Sequence, residues 1–125
     1  MNLFRKSIIL ITLICMIIVG CDRTKESESH GEMKIFKGLY SYGPEIKSFT
    51  DCEEGKEYWV ADSAKTLELS YSNFNFERPY EPVYVEVECH VIKSDSLMVS
   101  ADFDSTMVVT KVIKITKDIP DGPCN

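Results

Sequence analysis

Residues 81–93 read Glu-Pro-Val-Tyr-Val-Glu-Val-Glu-Cys-His-Val-Ile-Lys, and they constrain the fold more than any other stretch of the chain. Val83, Val85, Val87, Cys89 and Val91 recur at every second position, with Tyr84, Glu86, Glu88 and His90 between them. A repeat of two sends successive side chains to opposite faces of an extended chain. The segment therefore predicts a strand with one apolar face turned to a core and one face turned to solvent. Cys89 falls on the core face and His90 on the other. Such a strand cannot bury its apolar face alone, so it demands partner strands in the same domain.

Candidate partners are present on both sides. Residues 33–42, 46–50, 56–61, 97–103 and 107–117 are short runs rich in Val, Ile, Tyr, Phe and Thr, bounded by turn residues. Gly38, inside the first run, marks a bulge or a close backbone approach. Gly43-Pro44 breaks that run, and residues 51–55 form the turn between the second and third. Residues 62–74 have a different texture. Ala64, Leu67 and Tyr71 share one helical face there, with Asp62 or Ser63 as N-cap, which predicts one short helix before Pro79 and Pro82. Three strands, a helix and further strands within residues 33–125 define a mainly β domain. The order is that of an OB-like small β-barrel, and other small barrels and sandwiches share it.

Upstream, Arg5 and Lys6 precede residues 8–19, which are apolar except for Thr12. That run is shorter than the roughly 20 residues of a spanning helix, so residues 1–20 read as an export signal peptide. Ile18-Val19-Gly20-Cys21 resembles the lipobox of bacterial lipoproteins. The resemblance implies a lipidated Cys21 and a mature protein held on a membrane of the cell envelope without spanning it, because two or more acyl chains anchor stably. Asp22 resembles the inner-membrane retention signal of enteric lipoproteins, and the choice between outer and inner membrane stays open. Residues 21–32 carry no large apolar residue after the cysteine and read as a flexible tether of about 20 Å reach, with His30 solvated. Without Arg5 and Lys6 the formal charge of the chain falls from −6 to −8. Such a surface repels phosphate backbones, which argues against nucleic acid as a partner, and attracts cationic proteins.

The chemistry-bearing residues are few. No Ser-His-Asp order, nucleophile elbow or phosphate loop occurs, and the two histidines are His30 and His90, so the expectation is not an enzyme. Cys89 and His90, adjacent in a strand, face opposite ways and cannot form a dyad. Metal sites want clustered ligands, and neither Asp51, Glu53 and Glu54 nor Asp95, Asp102 and Asp104 has EF-hand spacing; no metal and no cofactor are expected. Among the aromatic residues, Tyr40, Tyr58, Trp59 and Tyr84 are the candidates for the groove in which OB folds hold an oligosaccharide or peptide.

The words Gly38-Leu-Tyr40, Phe49-Thr-Asp-Cys52, Gly55-Lys56, Val60, Pro82-Val83 and Val87-Glu88, with Cys124 near the end, resemble the C-terminal OB-type domain of the NlpE family of envelope lipoproteins. A related group of short lipoproteins carries Gly43, Glu45, Ser48-Phe49, Tyr58-Trp-Val60 and Tyr80-Glu-Pro-Val-Tyr84 as they stand here. The resemblance implies an OB barrel and a role in envelope-stress signalling or copper homeostasis. Larger members begin with a second domain bearing Cys-x-x-Cys. This chain has a tether at that point and no such motif, so copper binding and kinase activation do not transfer residue by residue. Three pairings are open to Cys52, Cys89 and Cys124 in an exported protein. Cys89 lies on the core face, and Cys52 and Cys124 match the paired cysteines of the family; a Cys52–Cys124 disulfide is expected on both grounds. Glu53 and Glu54 beside Cys52 disfavour a reactive thiolate, which makes the bond a structural staple before a redox switch. The functional expectation is a monomeric, lipid-anchored binding or sensing module with an envelope protein as partner. The alternative is an acidic inhibitor or ligand-binding lipoprotein for a cationic envelope protein or a glycan.

Overall fold

The computed structural model describes residues 31–96 and 98–125. The expected signal peptide, Cys21, His30 and most of the expected tether lie outside the described residues. The elements in chain order are strand β1 (Lys34–Tyr42), β2 (Lys47–Asp51), β3 (Glu57–Asp62), helix α1 (Thr66–Ser72), β4 (Val83–Lys93) and β5 (Ser105–Thr116). They close a barrel in the order β1-β2-β3-β5-β4. All neighbours are antiparallel except β3 and β5, which run parallel with Trp59 opposite Thr106 and Asp62 opposite Val109. The domain is mainly β, as the strand spacing predicts, and the barrel form is the one selected among the alternatives that the element order left open.

Closure depends on β1, which belongs to two ladders at once. Gly38, Leu39 and Tyr40 pair with Asp51, Thr50 and Phe49 of β2 on one side, and with Val85, Tyr84 and Val83 of β4 on the other. Gly38 stands at the start of this shared stretch. A Cβ there would run into the Thr50 carbonyl and the Phe49 ring, so the glycine is required by close approach of the next strand. The barrel interior is filled by Tyr40, Phe49, Tyr58, Val60, Val83, Val85, Val87, Cys89, Met107 and Val109, with Leu67 and Tyr71 of α1 closing one end. Along β4 the alternation holds: Val83, Val85, Val87 and Cys89 are buried, and Glu86, Glu88 and His90 stand on the other face. Tyr84 departs from it. It lies on the outer face yet is covered, because Lys114 stands over its ring at 5.9 Å and its hydroxyl donates to Glu86 Oε1 at 2.9 Å.

Two expectations are corrected. Residues 98–103 are a series of turns, not a strand, and Leu97 lies outside the described residues. The amides of Met98, Ala101 and Phe103 donate to the carbonyls of Asp95, Met98 and Ser100, three residues back. Asp95, Ser100 and Asp102 favour such local bonds, and a strand needs a neighbour to receive its amides. The helix also begins later than its spacing suggests, so Ala64 precedes it and is exposed. Lys65, at φ 55°, holds the cap position without a side-chain cap. Asp62 instead reaches forward, its Oδ2 accepting from the Glu68 amide at 2.9 Å, while the Ser63 hydroxyl donates to the Val109 carbonyl at 2.8 Å. Both expected cap residues thus tie α1 to the barrel.

Candidate functional site

The turn after β2 is built around Asp51. Its amide donates to the Lys56 carbonyl at 2.9 Å, its carbonyl accepts from the Gly55 amide at 2.8 Å, and its Oδ1 accepts from the Glu53 amide at 2.9 Å. Gly55 takes φ 69°, the left-handed region in which glycine carries no Cβ penalty. The Cys52 amide donates to Lys37 of β1 at 3.4 Å, so the cysteine is held on a clamped turn at the outside of the barrel. Cys124 is bonded to it, with Cα atoms 4.7 Å apart and a separation of 72 positions in sequence. The tail after β5 forms no strand. Its shape comes from local bonds, Asp118 N to Thr116 Oγ1 at 3.1 Å and Asn125 N to the Gly122 carbonyl at 3.1 Å, and the disulfide fastens it to the turn. Neither cysteine belongs to the buried core.

Cys89 is the contrasting case. It is fully buried and unpaired, and burial, with the Glu88 carboxylate as the lesser cause, pushes its thiol up to about 12. Neutral at physiological pH and out of reach, it acts as a small apolar side chain. His90 stands on the opposite face of the strand. Among the described residues no three of the His, Cys, Asp and Glu side chains converge as a metal site would require.

The four aromatic residues expected to share a groove are distributed over three environments. Tyr40 and Tyr58 point into the barrel, where burial, and then neighbouring carboxylates, raise both phenols above their ordinary value. Trp59 lies on the outside of β3, half-buried, with its ring 5.8 Å from that of Phe103. Tyr84 is on the outside of β4, beside Leu39 and Thr116. They line no common surface.

An aromatic cleft does exist, at the barrel end closed by α1. Tyr42, Pro44, Tyr71, Phe76, Arg78 and Pro79 line a pocket of about 480 Å³ between the β1–β2 connection and the segment that leads from α1 to β4. The Tyr42 and Tyr71 rings meet edge to face at 5.6 Å, and Phe76 lies 5.2 Å from Tyr71. The Tyr71 hydroxyl donates to the Glu81 carbonyl at 2.7 Å, which fixes the ring. Tyr80 covers Gly43, where a Cβ would strike its ring, and its amide donates to the Tyr42 carbonyl at 3.0 Å. Beneath this end, the Tyr40 hydroxyl and Asp62 Oδ1 are buried with no protein partner. The signal for the cleft in the sequence is the crowding of Tyr71, Phe74, Phe76 and Pro79 in a segment otherwise polar enough to be loop.

Five strands closed in this order, a helix across one end and a disulfide-fastened tail define a small OB-type barrel. The profile of the NlpE C-terminal OB domain matches residues 30–124, and the chain belongs to that family. Among solved structures it is similar to the crystal structure of the Cpx pathway activator NlpE from Escherichia coli, at 25% identity and a TM-score of 0.55. The likeness covers 70% of this chain and 42% of that one, so the chain spans less than half the length of the relative it matches. No curated protein matches the chain.

Proposed function

We propose that this protein is a non-enzymatic sensing module of the bacterial cell envelope, held on a membrane by a lipidated Cys21 and engaging an envelope protein in response to stress. The observation that carries the reading is the Cys52–Cys124 disulfide, which joins an exposed turn to a tail outside the strands, with neither cysteine in the buried core. Reduction would free the tail from the turn and so change the surface there, whereas the acidic neighbours Glu53 and Glu54 favour a lasting staple; the reduction potential decides between the two. Membership of the NlpE family and the likeness to a Cpx pathway activator support a stress-signalling role. Copper homeostasis, the other activity linked to the family, is assigned to no residue of this domain.

The test is a stress-reporter assay in the native envelope. Replacing Cys52 and Cys124 by Ser, with Cys21 retained, changes reporter output relative to the unaltered lipoprotein, and crosslinking recovers the periplasmic domain of a sensor kinase. Unchanged output from the double variant sinks the sensing role. A reduction potential below about −300 mV identifies a permanent staple instead. The aromatic cleft favours a second reading, a ligand-binding or inhibitor lipoprotein. Recovery of a cationic cell-wall hydrolase, or glycan binding abolished by Tyr42→Ala, supports that one.

A further inference from the structure

We infer that the end of the barrel at which the tether arrives is a membrane-docking face, resting on the phospholipid surface that carries the anchor. The inference rests on the lipid-anchored reading above. Strand register defines the end in question. Lys34, which opens β1, is opposite Cys89, and Lys93, which ends β4, is opposite Ser105 at the start of β5. The entry to β1, the exit of β4 and the connection 94–104 therefore lie together, away from α1 and the aromatic cleft. Gly31 packs directly on this end, since a Cβ there would run into the Val91 carbonyl. The chain thus reaches the domain at the far end from its helix.

Five exposed apolar side chains that the core does not use, Met33, Ile35, Ile92, Met98 and Val99, collect at the same end, against Ile46, Leu69 and Tyr80 at the end of α1 and the cleft. Ile35 is 60% exposed while its neighbour Phe36 turns inward against Phe49 and Tyr58. Ile92 is exposed beside Val91, which packs on the core. Met33 is exposed just before β1. Met98 and Val99, in the connection 94–104, are the most exposed of the five, at 61% and 75%. The turn bonds from Met98 to Asp95 and from Ala101 to Met98 hold them outward. Apolar residues raised on ordered turns, above a rim of polar ones, are what an interfacial insertion requires.

Chain length selects lipid as the occupant. From Cys21 to Gly31 the chain spans at most about 35 Å when fully extended, and its average reach is about half of that. An anchored Cys21 keeps this end of the barrel beside the bilayer. Tethering supplies an effective concentration that makes a weak insertion count. The sign of charge sets the lipid preference. Asp95, Asp102 and Asp104 share the connection with Met98 and Val99, and with Glu32 they outnumber Lys34 and Lys93 at this end of a chain that is acidic as a whole, so docking is driven by apolar insertion and opposed by anionic headgroups.

The test uses the lipidated chain reconstituted into phosphatidylcholine vesicles, with an environment-sensitive fluorophore attached through Val99→Cys or, at the opposite end, Glu77→Cys. Quenching by spin-labelled lipid is expected to be severalfold stronger at position 99 than at position 77. It should weaken when phosphatidylglycerol is added, and a probe at Ile35→Cys should lose it when Met98→Asp and Val99→Asp are introduced together. Equal quenching at positions 99 and 77 in protein that floats with the vesicles overturns the docking face and leaves the anchor standing. Failure to float overturns both. A probe at position 99 that is shielded without lipid quenching identifies a second copy or an envelope protein as the occupant, and overturns the lipid assignment.

Discussion

Tyr40 and Tyr71 are packed edge to face at 5.7 Å, yet their hydroxyls differ in kind. That of Tyr40 has no protein partner, whereas that of Tyr71 donates to the Glu81 carbonyl. A net hydrogen bond contributes about 1 kcal/mol and an unsatisfied buried hydroxyl contributes nothing favourable. Tyr71→Phe is therefore expected to cost about 1 kcal/mol in urea unfolding, and Tyr40→Phe to be neutral or stabilising. Cys89 gives a prediction in pH. Its folded-state pKa lies above its ordinary value, so the unfolded chain loses this proton first as pH rises. Stability from the neutral thiol is complete below about pH 9 and declines between 9.0 and about 12. Cys89→Val should flatten part of that alkaline decline, as followed by thermal midpoints, and native Cys89 should resist alkylation at pH 8 until denaturant is added. The position of this cysteine followed from alternation alone, because a period of two needs no knowledge of the partner strands. The places of Tyr40 and Tyr58 did not, since an aromatic residue in a strand suits a core and a groove equally well.

At the level of elements, β1 is the strand on which closure turns. Gly38→Ala would press a methyl group into the Thr50 carbonyl and the Phe49 ring, and backbone cannot move aside as a flexible side chain can. Such overpacking costs about 1–3 kcal/mol, and the expected result is a lowered urea midpoint with an unchanged slope. The strands and the helix were readable where pattern and burial coincide, as along β4. Residues 97–103 look like a strand by content, but strand formation is decided by whether a neighbour accepts the amides, and here the turn bonds of Met98 and Ala101 take them. The aromatic cleft was missed for a related reason. Its walls come from Tyr42 on β1, Tyr71 on α1 and Phe76 on a connection, and only the fold brings these together.

For the molecule as a whole, the disulfide and the barrel contribute separately. Closing a loop of 72 positions stabilises by about 4 kcal/mol in the chain-entropy account. Cys124→Ala is therefore expected to lower stability by a few kcal/mol while preserving the β circular dichroism and the Trp59 emission, since neither cysteine belongs to the buried core and the Trp59 ring packs beside Phe103. Loss of the native spectrum would show that the tail is integral to the fold. The parallel pairing of β3 with β5 carries a different consequence, one of timing. Trp59 meets Thr106 across a sequence gap that also contains α1 and β4, and β5 must seat against both β3 and β4 to shut the barrel. Contacts of such long range form slowly. A chain that emerges from its first residue onward would hold the valine row of β4 uncovered until β5 has followed it. The same topology that makes the finished barrel edgeless leaves every unfinished one with open strand edges and a bare apolar face.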